Sequence, residues 1–316
     1  MNNYDNLDVN IYKIKTVRTY AEHLKILLEA ELDDVTINIR EVYKNNDSHL
    51  TGLIFIEKNN TLSPTLYVND CFEGYKHGIP LKASAAYLKA VYLSTRGTKF
   101  LETDMIYDFD KCKSNIFYKL VNRKANANQL KEMPYIPFLD LAIIFNINIK
   151  DCNDNNASIK ISNELMKVWN IQDVNHLYQY AQRNTETIFG YAEIKLTDLI
   201  DQLSENYDLS DEIDISDCDD TDMVVITNKY KNYGASCILY NNILRHLYDI
   251  MDGEYYLLPS SIHEFIAIPY TDDTDGKYIQ DMLQSVNHDC LRYEEILSNN
   301  IYYYNSLTNQ LEIFED

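Results

Sequence analysis

The stretch FLDLAIIF at residues 138–145 is apolar at seven of its eight positions. A strand that is covered on both faces shows such an unbroken run, whereas a strand with one face in water alternates. We therefore predict a central strand here. Asp140 interrupts the run, and two interpretations stay open. Its carboxylate lies at the entry of the strand, paired with backbone groups or with an arginine such as Arg123, or it is buried for a function. The first is favoured.

Helices and short strands are predicted on both sides of this stretch. Before it, apolar periodicity predicts a helix over 14–28, strands over 35–39, 53–56 and 66–68, and a helix that begins after Pro80. Around and after it, predicted strands over 116–121, 159–161, 223–226, 255–258, 262–268 and 301–304 alternate with helices. We expect a mixed α/β (α+β) protein with helix-flanked mixed sheets and two packed subdomains. The expected subdomains are an N-terminal helix and meander region, 1–112, and a C-terminal α/β region, 113–316.

The charge balance of the chain is strongly acidic. Its 316 residues include 28 Lys and Arg against 49 Asp and Glu, which gives a net charge of −21. Proteins that bind nucleic acid or an anionic membrane through bulk electrostatics carry the opposite balance. Those two classes of function are disfavoured, and a basic protein partner is favoured instead.

Much of the acidity lies in one insert, residues 198–222. Between Lys195 and Lys229 there are eleven Asp and Glu and no Lys, Arg or His. Such a block is most often a solvated loop, but it also suits a docking surface for a basic partner. A calcium loop is disfavoured, because residues 211–222 lack the mid-loop glycine and the closing glutamate of an EF-hand. The candidate partner-binding residues are Asp211, Glu212, Asp214, Asp217, Asp219 and Asp220.

No pattern typical of a metal site or a nucleotide cofactor is found. The six cysteines lie 19 to 66 residues apart with no CxxC pair, and the eight glycines form no phosphate-binding loop. We expect no metal, no cofactor and reduced cysteines. The polar N-terminal residues lack a secretory signal, and no apolar run approaches the length of a membrane span, about 20 residues. We therefore expect a cytoplasmic protein with no membrane partner.

The stretch LPSSIHE at residues 258–264 places hydroxyls, an imidazole and a carboxylate at the end of an apolar strand. Nucleophilic hydrolysis needs a serine within hydrogen-bond reach of a base that an acid orients. Ser260 or Ser261 with His263 are therefore the candidate catalytic residues of a hydrolase.

A structural interpretation of the same stretch is favoured. If residues 262–268 are extended, His263 and Glu264 point to opposite faces and cannot pair as base and acid. Pro259–Ser261 then forms a turn, and His263 bonds a local backbone group.

Several blocks of the second half, taken together, resemble a known family. They are LVNR at 120–123, FLDLA at 138–142, ASI at 157–159, NELMKVW at 163–169, TN at 227–228, GA at 234–235, LY at 239–240, LPSSIHE at 258–264 and YYY at 302–304. In this order they resemble an uncharacterised domain-of-unknown-function family of gut Clostridia and relatives, DUF family 5688, over residues 115–305. The structural polar candidates within these blocks are Asn122, Arg123, Asp140 and Glu264.

The resemblance brings no established activity, cofactor or catalytic set to these positions. It implies a genetic setting near mobile elements of low-GC bacteria, and so a role in host interaction or counter-defence. Together with the charge, it favours a non-enzymatic cytoplasmic protein whose anionic surface engages a basic partner, such as the nucleic-acid groove of a defence nuclease. The alternatives are a hydrolase that uses Ser260 or Ser261 with His263, and a scaffold or assembly protein.

We predict that the isolated chain does not bind duplex DNA at about 0.15 M salt. The reason is that no cluster of Lys and Arg is dense enough to offset the net charge of −21 and release counterions from DNA. An electrophoretic mobility-shift assay over a range of salt concentrations measures this. Tight binding that weakens as salt is added would contradict the argument from charge.

Overall fold

The structure is a computed structural model that describes residues 14–57, 64–95, 103–150, 156–195, 223–271 and 275–315. By their contacts, these residues divide into two units. The first takes the described residues of Met1–Lys44, Ser48–Met105 and Ile149–Ala157, and the second takes those of Asn45–Asp47, Ile106–Asn148 and Ser158–Asp316. The mixed α/β class is confirmed, with three sheets in which every strand pair of described register is antiparallel. Within these ranges no helix is long and apolar enough to cross a membrane.

The first unit is a three-stranded sheet covered by helices. Its elements are α1 (Val17–Glu31), β1 (Val35–Tyr43), β2 (His49–Glu57), β3 (Thr65–Tyr67), α2 (Asn69–Lys76) and α3 (Leu81–Thr95). The strand order is β1-β2-β3, so β1 and β3 are the edges. Helix α1 begins where the Thr16 side chain accepts a hydrogen bond from the Thr19 amide, as an N-cap does.

The core of this unit follows from two apolar periodicities. Leu24 and Leu28 lie four residues apart on α1 and are fully buried, together with Ile37 and Phe55 of the sheet. From α3, Tyr92 stacks on Phe55 with ring centroids 4.5 Å apart. Helix α2 is absent from our sequence prediction because it has only eight residues, too few to show a clear period.

The second unit contains two sheets and five α-helices among its described residues. Its elements are α4 (Phe109–Cys112), β4 (Ile116–Asn122), β5 (Tyr135–Phe138), β6 (Leu141–Lys150), β7 (Asn156–Lys160), α5 (Asn163–Val168), α6 (Val174–Phe189), β8 (Ala192–Lys195), β9 (Val224–Thr227), α7 (Ile243–Ile250), β10 (Tyr255–Ser261), β11 (Glu264–Pro269), α8 (Gly276–Cys290), β12 (Tyr302–Asn305) and β13 (Gln310–Ile313). One sheet has the order β4-β6-β5, with β7 beside β6, and the other has the order β13-β12-β10-β11-β9-β8. One apolar core includes residues of both sheets, among them Phe145 and Leu257.

The predicted central strand over 138–145 is wrong at one point. Strand β5 ends at Phe138 and β6 begins at Leu141, so the run folds back on itself in a turn. Leu139 adopts φ 52°, a left-handed conformation that lets the chain reverse within two residues. Periodicity missed the turn because both strands of this hairpin are apolar.

Asp140 follows Leu139 in this turn, at the entry of β6. Its carboxylate accepts hydrogen bonds from Ser298 Oγ at 2.6 Å, Asn300 Nδ2 at 3.1 Å and Tyr302 Oη at 2.6 Å. We expected the carboxylate to pair with backbone groups or with an arginine such as Arg123. Its donors are instead these three side chains: the Arg123 side chain is exposed, and its backbone amide bonds the Asp140 carbonyl at 3.1 Å. Three neutral donors therefore satisfy this carboxylate. Burial, and then the neighbouring Asp140, raise the pKa of Tyr302 well above its ordinary value, so its hydroxyl stays a donor.

A second turn also differs from the prediction. Strand β10 continues through Pro259 to Ser261, and the chain reverses at Ile262 and His263 instead of at Pro259–Ser261. The register shifts between Leu258 and Ser261, as at a β-bulge. Proline lacks a backbone donor and is accommodated at such an irregularity without leaving a ladder bond unmade.

The residues Asn45–Asp47, between β1 and β2 in sequence, belong to the second unit. Asn46 is 3 % exposed and has φ 58°. Its amide donates to Asn126 Oδ1 at 2.8 Å, and its Nδ2 donates to the carbonyls of Tyr293 and Ile296 at 2.6 and 2.7 Å. A buried asparagine thus joins three segments that are far apart in sequence.

Tyrosine is a main component of the buried core. The largest fully buried side chains include Tyr20, Tyr92, Tyr118, Tyr255, Tyr256, Tyr302 and Tyr304. Most of their hydroxyls reach a partner; that of Tyr255, for example, donates to the Leu244 carbonyl at 2.9 Å. The Tyr118 hydroxyl is buried without a hydrogen-bond partner among the described residues. These buried tyrosines are therefore packing residues with a polar end.

Two tyrosine-to-phenylalanine substitutions should have opposite effects on stability. Tyr302→Phe removes a donor from Asp140 and should lower the free energy of unfolding by about 1.5 to 3 kcal/mol. Tyr118→Phe keeps the ring and removes an unpaired buried hydroxyl, so stability should stay equal or rise. Urea denaturation with unchanged m values measures both. Equal losses in the two variants would contradict the assignment of the Asp140 hydrogen bonds.

Candidate functional site

The LPSSIHE stretch forms the turn between β10 and β11. Ser261, the last residue of β10, donates its hydroxyl to Glu264 Oε1 at 2.6 Å, and Ser261 Oγ accepts a hydrogen bond from the His263 amide at 2.9 Å. Ser261 is 2 % exposed. Its hydroxyl is therefore engaged within the turn and closed to solvent.

The His263 imidazole faces a different segment. Its Nδ1 accepts a hydrogen bond from the Tyr233 amide at 3.2 Å, and the two rings pack with centroids 5.8 Å apart. The His263 carbonyl accepts from Thr227 Oγ1 at 2.8 Å. Because Nδ1 is the acceptor, a neutral His263 carries its proton on Nε2. Within the described residues, no hydrogen-bond partner of that Nε2 is found, and the side chain is half-buried.

The structure thus pairs the Ser261 hydroxyl with the Glu264 carboxylate and with the His263 backbone amide, and not with the His263 imidazole. A serine nucleophile needs its hydroxyl hydrogen-bonded to the imidazole that takes its proton. Here the hydroxyl bonds a carboxylate and the imidazole bonds a backbone amide. The side chain of Ser260 lies outside the described part, so its proposed role stays a prediction. His263 also lies in the turn itself, which corrects its expected place inside a strand.

Two further segments support this turn from the other side. Tyr233 has φ 55°, and Gly234 follows it with the backbone of His263 and Asn228 close by. A Cβ on Gly234 would lie 2.5 Å from the His263 carbonyl oxygen and 2.7 Å from the Asn228 nitrogen, so only glycine fits. Asn228 closes its own turn by accepting from the Tyr230 amide at 2.9 Å. We call the assembly of residues 227–228, 233–235 and 258–264 the His263 corner.

Lys119 of β4 completes the His263 corner and is absent from our sequence-based candidates. It is 6 % exposed, and its ammonium lies 3.6 Å from the centroid of the Tyr233 ring, on which it makes a cation–π contact. Its Nζ also donates to Ser158 Oγ at 3.2 Å. The available signal was a lysine inside the apolar stretch IFYKLVN, since a buried lysine needs partners. Lys119 and His263 therefore both pack against the Tyr233 ring.

The remaining predicted site residues have structural contacts or lie outside the described ranges. Asn122 donates to the Leu297 carbonyl at 2.9 Å and accepts from the Ala125 amide at 2.8 Å. Glu264 is the acceptor of Ser261. The acidic insert lies outside the described residues, including the candidates Asp211, Glu212, Asp214, Asp217, Asp219 and Asp220.

Neither a metal centre nor an activated thiol is apparent in the part of the chain that the structure describes. There, no three His, Cys, Asp or Glu side chains are grouped so as to hold a metal ion. Cys71, Cys112, Cys237 and Cys290 are free thiols. Burial raises the pKa of Cys237 to about 12, which keeps it protonated and unreactive at neutral pH.

Comparison with known proteins gives a family and no function. A model described as a family of unknown function (DUF5688) matches residues 15–306, most of the chain. No curated protein and no solved structure matches. The His263 corner and the Asp140 turn both fall inside the matched range.

Replacement of His263 should reduce stability through one hydrogen bond. His263→Ala leaves the Tyr233 amide without its acceptor and should lower the free energy of unfolding by about 1 to 3 kcal/mol. His263→Asn places an amide oxygen near the position of Nδ1, so it should recover part of that loss. Chemical denaturation of the three proteins tests this, and equal stability of all three would contradict the assigned role.

Proposed function

This chain belongs to DUF5688, a family of unknown function, and we propose that it is a cytoplasmic, non-enzymatic protein whose acidic insert binds a basic partner protein. The observation that carries the proposal is the distribution of charge. Eleven carboxylates and no basic residue or histidine lie between Lys195 and Lys229, in a chain of net charge −21. Complementary fields of this kind raise association rates and select partners with positive grooves.

The partner class follows from the density of the charge. Duplex DNA presents about one negative charge per 1.7 Å of helix, and proteins that bind it line their grooves with Lys and Arg. A closely spaced series of carboxylates suits the same grooves. We therefore propose nucleic-acid-binding proteins as the partners, and the resemblance to a family from mobile elements favours nucleases of host defence among them.

The geometry of the His263 corner supports a non-enzymatic role. The Ser261 hydroxyl and His263 Nδ1 are engaged with Glu264 and with the Tyr233 amide, not with each other. These bonds hold a turn in place, and the Ser261 hydroxyl has no bond to the imidazole that the hydrolase alternative requires.

Neutralisation of six carboxylates should separate binding from folding. We expect one variant to keep the free energy of unfolding of the native chain to within about 0.5 kcal/mol, since exposed like charges contribute little to stability. It carries Asp211→Asn, Glu212→Gln, Asp214→Asn, Asp217→Asn, Asp219→Asn and Asp220→Asn. It should lose the salt-sensitive binding of basic nucleic-acid-binding proteins that we expect of the native chain. Affinity purification at low and high salt, with identification of the bound proteins by mass spectrometry, measures this.

A matched control carries the same change in charge elsewhere. Its exposed positions are Asp33, Asp70, Glu132, Glu186, Asp252 and Glu315, each replaced by the corresponding amide. It should bind as the native chain does. Equal loss of partner binding in both variants would mean that net charge, and not the acidic insert, determines binding. Unfolding of the first variant would mean that its carboxylates are structurally paired.

The hydrolase alternative has its own readout. A serine-directed fluorophosphonate that labels Ser260 or Ser261, with labelling lost in folded His263→Ala protein, would replace the binding-protein proposal by an enzyme.

A further inference from the structure

We propose that the open face of the first sheet binds an amphipathic helix of a partner protein, a helix that carries carboxylates beside an apolar stripe. The open face is the side of the sheet β1-β2-β3 that lies away from α1, α2 and α3. This inference is independent of the acidic insert and of its proposed basic partner. It rests on the register of the strands, on the aliphatic side chains of the face and on its charge.

The register of the sheet decides which side chains form the open face. Ile37 of β1 lies opposite Phe55 of β2, and both are fully buried in the core that the helices cover. Since side chains alternate along a strand, the residues between such positions point to the other side. They are Thr36, Asn38, Arg40 and Val42 of β1, Leu50, Gly52, Ile54 and Ile56 of β2, and Thr65 and Tyr67 of β3.

Strand β2 is apolar on both of its sides. The run LIFI at residues 53–56 places Leu53 and Phe55 in the core, and Ile54 and Ile56 on the open face. A strand with one side in water alternates, whereas an unbroken apolar run indicates cover on both sides. Ile54 and Ile56 are nevertheless only half-buried and belong to none of the apolar clusters of the described residues. Within the described ranges, the open face therefore lacks the cover that its composition indicates.

The size of the open face suits one helix. Val42 of β1 lies directly opposite Leu50 of β2, and these two half-buried side chains extend the aliphatic patch of Ile54 and Ile56. Three strands spaced about 4.8 Å apart span about 10 Å, and a helix with its side chains is about 10 to 12 Å wide. A single helix is therefore wide enough to cover this patch.

Two cations lie on the open face. Arg40 is exposed and has no ion pair or hydrogen bond among the described residues. Lys44 directly follows β1, and its ammonium lies 4.5 Å from the centroid of the Tyr67 ring, on the same face. None of the open-face residues is Asp or Glu.

The acidic residues of these strands lie on the other side. Glu41 and Glu57 alternate with open-face residues, so their side chains point toward the side of the helices. Glu41 pairs with His49 at 3.2 Å, and Glu57 accepts a hydrogen bond from the Tyr92 hydroxyl. At physiological salt, charges farther away than about 8 Å are largely screened, so the net charge of the chain does not decide which segment is attracted. We therefore expect carboxylates in the segment that binds.

The side chains of the face favour a protein helix over a nucleic acid. Single-stranded nucleic acid binds by stacking its bases on aromatic rings. Tyr67 is the one aromatic residue of the open face, and Lys44 lies over its ring. The aliphatic patch instead fits the apolar stripe of an amphipathic helix, and a helix on a sheet is a common layer arrangement. Carboxylates beside that stripe then reach Arg40 and Lys44.

The test uses the full chain and an acetylated, amidated peptide of about 18 residues, long enough to form a helix. Its leucines are spaced three and four residues apart, with glutamate at the flanking positions and alanine elsewhere. Fluorescence anisotropy should show that this peptide binds and that the same peptide with lysine for glutamate does not. A peptide of the same composition in scrambled order lacks the apolar stripe and should not bind.

Matched variants place the binding on the open face. Asn38→Glu adds a carboxylate opposite Ile54 and should weaken binding of the acidic peptide about tenfold. Ser94→Glu makes the same change in charge at an exposed position of α3 and should have no effect. Ile54→Thr should weaken binding about fivefold, whereas Ile79→Thr, at a 50 % exposed position between α2 and α3, should not. If Ile54→Thr fails to fold, Asn38→Glu, at an exposed position, carries the test alone.

Several results would overturn the proposal. They are no binding at about 1 mM peptide, equal binding of the lysine peptide, and equal effects of Asn38→Glu and Ser94→Glu. Sedimentation of the native chain as a dimer that Asn38→Glu dissociates would also overturn it, because a second copy would then cover the open face. The variant neutralised at six positions of the acidic insert should bind the peptide as the native chain does, so failure of either proposal is seen separately.

Discussion

Burial of β6 on both faces is the constraint on which the second unit is built. Leu141 and Phe145 face the main core, while Ala142 and Ile144 face a smaller core with Leu130. Each fully buried side chain of this size contributes about 1.5 to 3 kcal/mol relative to an exposed one. A strand with two apolar faces needs neighbours in the sheet and cover above and below, and β4, β5 and α6 with the second sheet supply them.

The polar groups around β6 follow from the same constraint. A chain that reverses at the entry of a buried strand brings backbone and carboxylate groups close to an apolar core, where unpaired polar atoms are costly. Asp140 meets this need through Ser298, Asn300 and Tyr302. Lys119 meets it through an aromatic ring and a hydroxyl. The blocks that resemble the family therefore include positions where buried polar groups are paired.

Sequence patterns predicted the structural features that depend on residues close together in the chain. The period of α1 and the alternation of β1 are local properties, and each could be predicted from the sequence. The reversal at Leu139 was not, because an apolar hairpin and one long buried strand give the same pattern. The partners of Asp140 lie 158 to 162 residues later, and no local rule connects such positions. The candidate site shows the same limit. The sequence of residues 261–264 indicates which polar side chains are present, but the partners of His263 are Tyr233 and Thr227, which lie in other segments.

The placement of Asn46 has a consequence for biosynthesis. The hydrogen bond from its backbone amide reaches Asn126, 80 residues later in the sequence, and the hydrogen bonds from its side chain reach Tyr293 and Ile296, 247 and 250 residues later. A ribosome that adds about 5 to 20 residues per second therefore releases the acceptors of this side chain well after the asparagine itself. Until then the Asn46 side chain, which is 3 % exposed in the folded protein, lacks these acceptors. Premature termination before residue 296 would thus release chains in which this side chain has lost its last acceptor, and a quality-control system that recognises such chains would have a long window in which to act.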